Sequence, residues 1–232
     1  MIQNIICVIF VRAGSKTIKN KNIQLIGKYT LLEHSILMAK KLFANSNIYI
    51  STNSKKMISI AIKHEVNYIK RPSSLCSDNS KEWNSWKHAV KFLKKKNIKF
   101  EKILSLPTTS PLRKAIDIKK AINLSNTSCD AVISVTSSTR SPYWNMTKVD
   151  KLGYHSVVIQ DKINYKNYIR RQNTPKTYDM TTVVYIAKKE YIENSDRLMN
   201  GKIKAVLIPP ERAIDIDTNF DLKLARYLFN EK

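Results

Sequence analysis

Ile5-Ile6-Cys7-Val8-Ile9-Phe10-Val11 runs without a polar residue into Arg12-Ala13-Gly14-Ser15-Lys16, and Lys21-Asn22-Ile23 follows shortly after. An apolar run of this length bounded by turn chemistry predicts a buried strand. The loop behind it is dense in cations, hydroxyls and free backbone N–H groups. In an open α/β sheet, ligands bind just beyond the carboxyl ends of strands, so the loop stands where a phosphate-bearing ligand would bind. Gly14 lets the backbone approach such a ligand closely. Ser15 adds a hydroxyl, and Arg12, Lys16 and Lys21 add fixed positive charge. A solvated basic loop is the plainer alternative for any one of these lysines.

The same alternation continues downstream. Strand-like runs at Ile48–Ser51, Tyr68-Ile69, Ile103–Leu106 and Ala131–Thr136 are separated by helical patterns at Leu31–Phe43, Ser54–His64, Lys81–Lys95 and Ala115–Leu124. That order predicts βαβ units and a largely parallel sheet flanked by helices. After residue 140 the pattern changes: Tyr143–Lys148 and Tyr154–Gln160 read as a hairpin around Asp150–Gly153. Strand character returns at Thr182–Ala187 and Ile203–Ile208, and Asn219–Phe229 reads as a closing helix. We therefore expect a single domain over 1–232 with an inserted lobe at about 140–180.

With 232 residues the chain can bury one full core. Its three cysteines are widely spaced and its four histidines show no metal-ligand spacing, so neither a disulfide framework nor a zinc site is supported. The Ile5–Val11 run is too short to span a bilayer, and no cleavage-site pattern follows the first residues. We expect a cytoplasmic protein with no membrane contact. The net charge of +23 points on its own to a polyanionic partner. The excess is mostly lysine scattered along helices, without the arginine and aromatic interleaving of a base-stacking surface. Nucleic acid is therefore not the expected partner.

Asp215-Ile216-Asp217-Thr218 lies between a strand and the last helix. In an extended segment the two carboxylates project to one side, which suits one divalent cation bound through oxygen. Magnesium takes one or two carboxylates and completes its shell with phosphates and water. Helix capping by Asp217 or Thr218 is the competing use. Arg71 and Asp78 follow the third strand, and Ser110 to Arg113 follow the fourth. Arg170-Arg171-Gln172 with Tyr178 falls in the lobe, where adjacent arginines could clamp a carboxylate.

Taken in order, the loop at 12–23, Arg71-Pro72, Asp78, TSPLR at 109–113, RRQ at 170–172 and DIDT at 215–218 resemble the acylneuraminate cytidylyltransferases over essentially the whole chain. The resemblance implies a Rossmann-like nucleotidyltransferase fold whose lobe mediates homodimer contacts. It also implies attack by a sugar-acid hydroxyl on the α-phosphate of CTP, with Mg2+ at Asp215 and Asp217. Arg12, Gly14, Ser15, Lys16, Lys21 and Asn22 would hold the triphosphate. Arg71, Asp78 and Ser110 would line the nucleotide side, and Pro107, Thr108, Arg171 and Tyr178 would meet the sugar.

Two departures bear on the acceptor. Leu106-Pro107-Thr108 stands where sialic acid enzymes carry Leu-Gln-Pro, and Asp179 to Val183 stands where Asn-Gly-Ala is common. The loss of that glutamine amide points away from N-acetylneuraminate and toward a differently substituted nonulosonate. The eight-carbon acid Kdo is the alternative acceptor, although its enzymes carry a QGDEP-like run here. No residue is singled out as a general base.

Overall fold

Strand β1, Ile5–Phe10, is buried along nearly its whole length and pairs in parallel with a strand on each side. A strand covered on both faces needs apolar residues at every position, and IICVIF supplies them. The computed structural model describes residues 4–14, 17–77, 80–160 and 170–231. Ser15, Lys16 and Asp78 lie outside the described residues, and so does the side chain of Arg171.

The chain continues through a hairpin, β2 Leu25–Ile26 and β3 Tyr29–Thr30, into α1 Leu31–Lys40. Next come β4 Ile48–Thr52, α2 Lys55–Lys63, β5 Asn67–Lys70, α3 Glu82–Lys95, β6 Lys102–Ser105, α4 Ala115–Ser125 and β7 Ala131–Ser137. A short hairpin, β8 Thr147–Val149 and β9 His155–Val157, forms the described part of the lobe. The last elements are β10 Tyr178–Lys188, α5 Lys189–Asn194, β11 Ile203–Leu207 and α6 Asn219–Asn230. No helix among the described residues is long and apolar enough to cross a membrane.

Seven strands form one sheet in the order β11-β7-β10-β6-β1-β4-β5. The sheet is parallel except for β10, which runs antiparallel to β6 and β7. One face is covered by a core holding Ile9, Ile36, Ile50, Leu104, Ile118 and Val184, and the other by Val8, Trp83, Trp86, Leu93 and Ile103. A third cluster, with Ile26, Leu31, Ile216 and Leu222, joins the β2–β3 hairpin to α6.

Helix starts follow their capping chemistry. Thr30 accepts from Glu33 N while Glu33 accepts from Thr30 N, and Thr218 and Asp221 repeat this box at α6. Thr218 is thus the cap, and Asp217 stays outside the helix. Asp117, buried in the first turn of α4, accepts from Lys114 N and from Arg212 through both carboxylate oxygens.

Two sequence expectations need correcting. The lobe hairpin is shorter than expected, because residues 141–146 turn around the Ser141 carbonyl instead of extending. Strand β10 begins at Tyr178, four residues before the expected Thr182, because Tyr178 to Thr181 pair with Ser134 to Ser137. Thr181 then opposes Ser134 while Ile186 opposes Val132, so five steps on β10 answer two on β7. The Ser134 hydroxyl bridges this bulge, donating to Thr181 O and accepting from Val184 N. Bulges of this kind redirect side chains, and here Thr182 is turned toward the ends of the parallel strands.

Candidate active site

A cleft of about 530 Å³ opens at the carboxyl ends of β1 and β6. Its walls bring together Arg12, Gly14, Lys21, Asn22, Pro107, Thr108, Asp215 and Asp217, which span more than 200 positions of sequence. Gly14 has a φ of +80°, a left-handed conformation that carries the loop away from β1. Asn22 fixes the loop to the next strand end: its amide donates to Arg12 O at 3.1 Å, and its carbonyl accepts from the Thr108 hydroxyl at 2.6 Å. The Asn22 side chain is therefore a strut of the cleft wall.

The DIDT segment is anchored in the same way. Ile216 N donates to Thr109 O, which ties the segment to the end of β6. Lys21 Nζ donates to Ile216 O at 2.8 Å and to Asp217 Oδ1 at 2.9 Å. Asp217 is largely exposed, whereas Asp215 Oδ1 is buried without a hydrogen-bond partner. Burial pushes the Asp215 carboxyl above its ordinary range, the adjacent Asp217 charge adds to this, and Thr109, Thr182 and Lys21 oppose it.

Arg71 sits beside this cleft and not in it. It lines an adjoining pocket of about 240 Å³ that shares Phe10, Arg12 and Glu82 with the cleft. Its guanidinium is buried, donates to Ser51 Oγ and Ser51 O, and lies over the Phe10 ring at 5.8 Å. Phe10 in turn stacks on Trp86 at 5.1 Å.

The structure moves two more candidates out of the cleft. Ser110 is fully buried, because its hydroxyl is drawn under the wall by Thr182 Oγ1 at 2.7 Å, where Thr109 Oγ1 joins at 2.8 Å. Tyr178 starts β10 and lines a separate cavity of about 560 Å³ with Ser137, Gln172 and Lys176. Arg113, also from TSPLR, is buried and holds Pro107 O, Ser35 Oγ and Thr182 O. Burial brings its pKa down to about 9, while the carboxylates of Asp215 and Asp117 favour its charged form. The cleft also contains Glu82, Thr109 and Tyr185, which sequence reasoning missed, and Thr182, from the Asp179 to Val183 departure. Burial raises the Tyr185 phenol, with Glu82 and Asp215 adding to the shift, so at neutral pH it is a hydrogen-bond donor.

The cytidylyltransferase family profile matches residues 6–232. The chain belongs to that family. It is therefore a nucleotidyltransferase, and the cleft described above is where this fold places its ligands. Among curated relatives, post-translational flagellin modification protein B of Campylobacter coli is 31% identical over 99% of this chain and 97% of its own length. CMP-N,N'-diacetyllegionaminic acid synthase of Campylobacter jejuni is 30% identical over 98% and 96%. In structure, CMP:2-keto-3-deoxy-manno-octonic acid synthetase, solved as a complex with CTP, superposes with a TM-score of 0.71 at 13% identity and covers 99% of each chain. That likeness establishes a shared cytidylyltransferase fold.

Proposed function

We propose that the chain transfers CMP from CTP to the anomeric hydroxyl of a nonulosonic acid of the legionaminic type, releasing pyrophosphate, and that it does so in the cytoplasm as a homodimer using Mg2+. One observation carries the reading. A single cleft joins the cationic loop after β1, the paired carboxylates of DIDT and the Pro107 wall.

Phosphoryl transfer demands positioning and charge stabilisation more than covalent chemistry from the protein. Arg12 and Lys21 supply positive charge to the triphosphate, with Lys16 and Ser15 of the same loop assigned there by the family motif. The adjoining Arg71 pocket is flat-walled at Phe10 and offers Ser80 Oγ, a buried hydroxyl without a partner, which suits a pyrimidine ring with polar edges. Asp78 is assigned to this side by the motif alone.

The donor set fits Mg2+. Asp215 Oδ1 is a buried, partnerless acceptor two residues from the exposed carboxylate of Asp217. Among the described residues, no group of three or more His, Cys, Asp or Glu could hold a metal. Two carboxylates are what Mg2+ takes when phosphates and water complete its shell. Bound there, it supplies charge to phosphate oxygens and lowers the pKa of a coordinated hydroxyl. Tyr185, which lines the same cleft, offers a protonated phenol as a hydrogen-bond donor.

On the acceptor side, Pro107 has no side-chain amide to offer a sugar. A wall lacking that hydrogen bond does not select a ligand built to use it. Arg171 is assigned to the acid's carboxylate by the RRQ motif. Dimerisation is supported by the lobe, where Trp144 before the hairpin and Val149, Leu152 and Tyr154 on it leave apolar surface exposed.

The test is a panel of sugar acids incubated with CTP and Mg2+, with CMP-sugar products identified by mass spectrometry. We expect kcat/KM for N,N'-diacetyllegionaminate to exceed that for N-acetylneuraminate, and Pro107→Gln to narrow the ratio. A clear preference for N-acetylneuraminate in the unmodified protein overturns the acceptor assignment. No product with any acid overturns the reaction.

A further inference from the structure

Lys21 and Asp217 are unequal members of an ion pair. The lysine side chain is only 15% exposed and has a second acceptor in Ile216 O, whereas the Asp217 side chain is 72% exposed. An exposed carboxylate has little to gain from a surface ion pair. The pair is therefore set by the lysine, whose ammonium is held against the backbone between the two carboxylates. The outcome is lopsided: Asp217 Oδ1 has a cation at 2.9 Å, and Asp215 Oδ1 is buried with no partner.

We propose that Lys21 is the resident cation of the nucleotide-free site and that it makes metal binding conditional on CTP. This rests on the reading of Asp215 and Asp217 as the Mg2+ ligands. A divalent cation bonded to the Asp217 carboxylate would lie within a few ångströms of the ammonium on the same oxygen, and the two repel strongly at such distances. While Nζ holds Asp217 Oδ1, the metal has Asp215, the other Asp217 oxygen and a like charge beside it. A triphosphate changes the competition, because its oxygens are stronger acceptors for an ammonium than a single exposed carboxylate. Lysine is suited to the exchange: three donors on a flexible four-carbon stem can swing between acceptors without moving the backbone. When Nζ turns to phosphate, both carboxylates become available together. By linkage, metal and nucleotide then tighten each other's binding by the same factor. An alternative use of Lys21, as a fixed brace between its turn and DIDT, predicts no such exchange.

The experiment is a titration with Mn2+, a Mg2+ substitute whose free ion is read directly by electron paramagnetic resonance. It needs no turnover. Wild type, Lys21→Met, Lys21→Gln and Asp217→Asn are compared without nucleotide and with a non-hydrolysable CTP analogue. Circular dichroism confirms folding, and two lysine variants are used in case one is unstable. We expect nucleotide-free wild type to bind Mn2+ weakly and the lysine variants to bind it about tenfold or more tightly. The Lys21→Met/Asp217→Asn double variant should lose that gain, and the analogue should tighten Mn2+ binding in wild type. If both lysine variants match wild type without nucleotide, while wild type with the analogue shows Asp217-dependent binding, the resident-cation role is overturned and the metal reading stands. If no condition yields Asp217-dependent binding, the metal reading fails and takes this inference with it.

Discussion

Thr182→Val tests the hydroxyl cluster under the cleft. Valine keeps the shape and β-branching of threonine, so β10 itself should be undisturbed. What disappears is Oγ1, which stands 2.8 Å from Thr109 Oγ1 and 2.7 Å from Ser110 Oγ. Thr109 faces the cleft and can turn to water, but Ser110 is fully buried and loses the partner that the structure gives it. Leaving a buried hydroxyl unsatisfied costs ~1–3 kcal/mol. For a chain of this size each kcal/mol moves Tm by about 2–4 °C, so a fall of roughly 2–12 °C is expected. Removing both hydroxyls should cost less than the sum of the single losses, because Thr182→Val/Ser110→Ala no longer leaves a buried Ser110 hydroxyl unsatisfied. A double-mutant cycle by calorimetry should give a coupling of about 1 kcal/mol or more. The double variant should recover stability without recovering turnover, since the Thr182 hydroxyl also faces the cleft. Wild-type melting in Thr182→Val, or strict additivity in the cycle, would refute the reasoning.

Three further outcomes are expected. Burial pushes the Glu33 carboxyl up, but Thr30 N, His64, Lys63 and the Thr30 hydroxyl outweigh it and hold the pKa at about 2. A depressed carboxyl contributes its stability above the unfolded value near 4.5 and loses it as pH falls toward 2. Acid unfolding followed by circular dichroism should therefore flatten across that window in Glu33→Gln. Gly27→Ala adds a Cβ 2.7 Å from Phe229 Cε1 at a φ of +57°, so it should lower stability by ~1–3 kcal/mol in denaturant titrations. Asp217→Asn should raise the Mg2+ concentration for half-maximal CTP turnover by about tenfold or more while barely moving Tm; an unchanged Mg2+ dependence refutes its assignment as a ligand.

The parallel core and the cationic loop were legible because each rests on local pattern: an unbroken apolar run, then turn chemistry. Arg12, Gly14, Lys21, Asn22, Asp215 and Asp217 were legible as strand-end residues, and all line one cleft. What sequence could not show is who partners whom. Lys21 and Asp217 are 196 positions apart, and nothing local announces that the two form a pair. Glu82 reads as an ordinary first-turn acid of α3, yet it faces the cleft because α3 starts at its rim. Thr182 reads only as part of the Asp179 to Val183 departure and Tyr185 only as a strand residue, since a bulge depends on the register of a partner strand. Ser110 is placed on the nucleotide side by its motif, and nothing local announces its bond to the Thr182 hydroxyl, 72 positions away. Tyr178 reads as part of the lobe, but backbone pairing with Ser137 draws it into the sheet.

The bulge in β10 has a bearing on how such an enzyme diversifies. Pairing is fixed on one side by Thr181 with Ser134, and on the other by Ile186 with Val132 and Leu104. Register errors normally propagate along a strand and turn every side chain to the wrong face. Here the surplus residues between the two anchors act like slack in a rope tied at both ends. Thr182, which lines the cleft, lies within that slack, whereas Tyr185 stays paired with Ser105 of β6. Val183 and Val184 of the bulge are buried in the core, so it is Thr182 that can be exchanged while the pairs on either side keep the sheet in register. That stretch of the cleft wall can thus vary without rebuilding the sheet that positions the rest of the cleft.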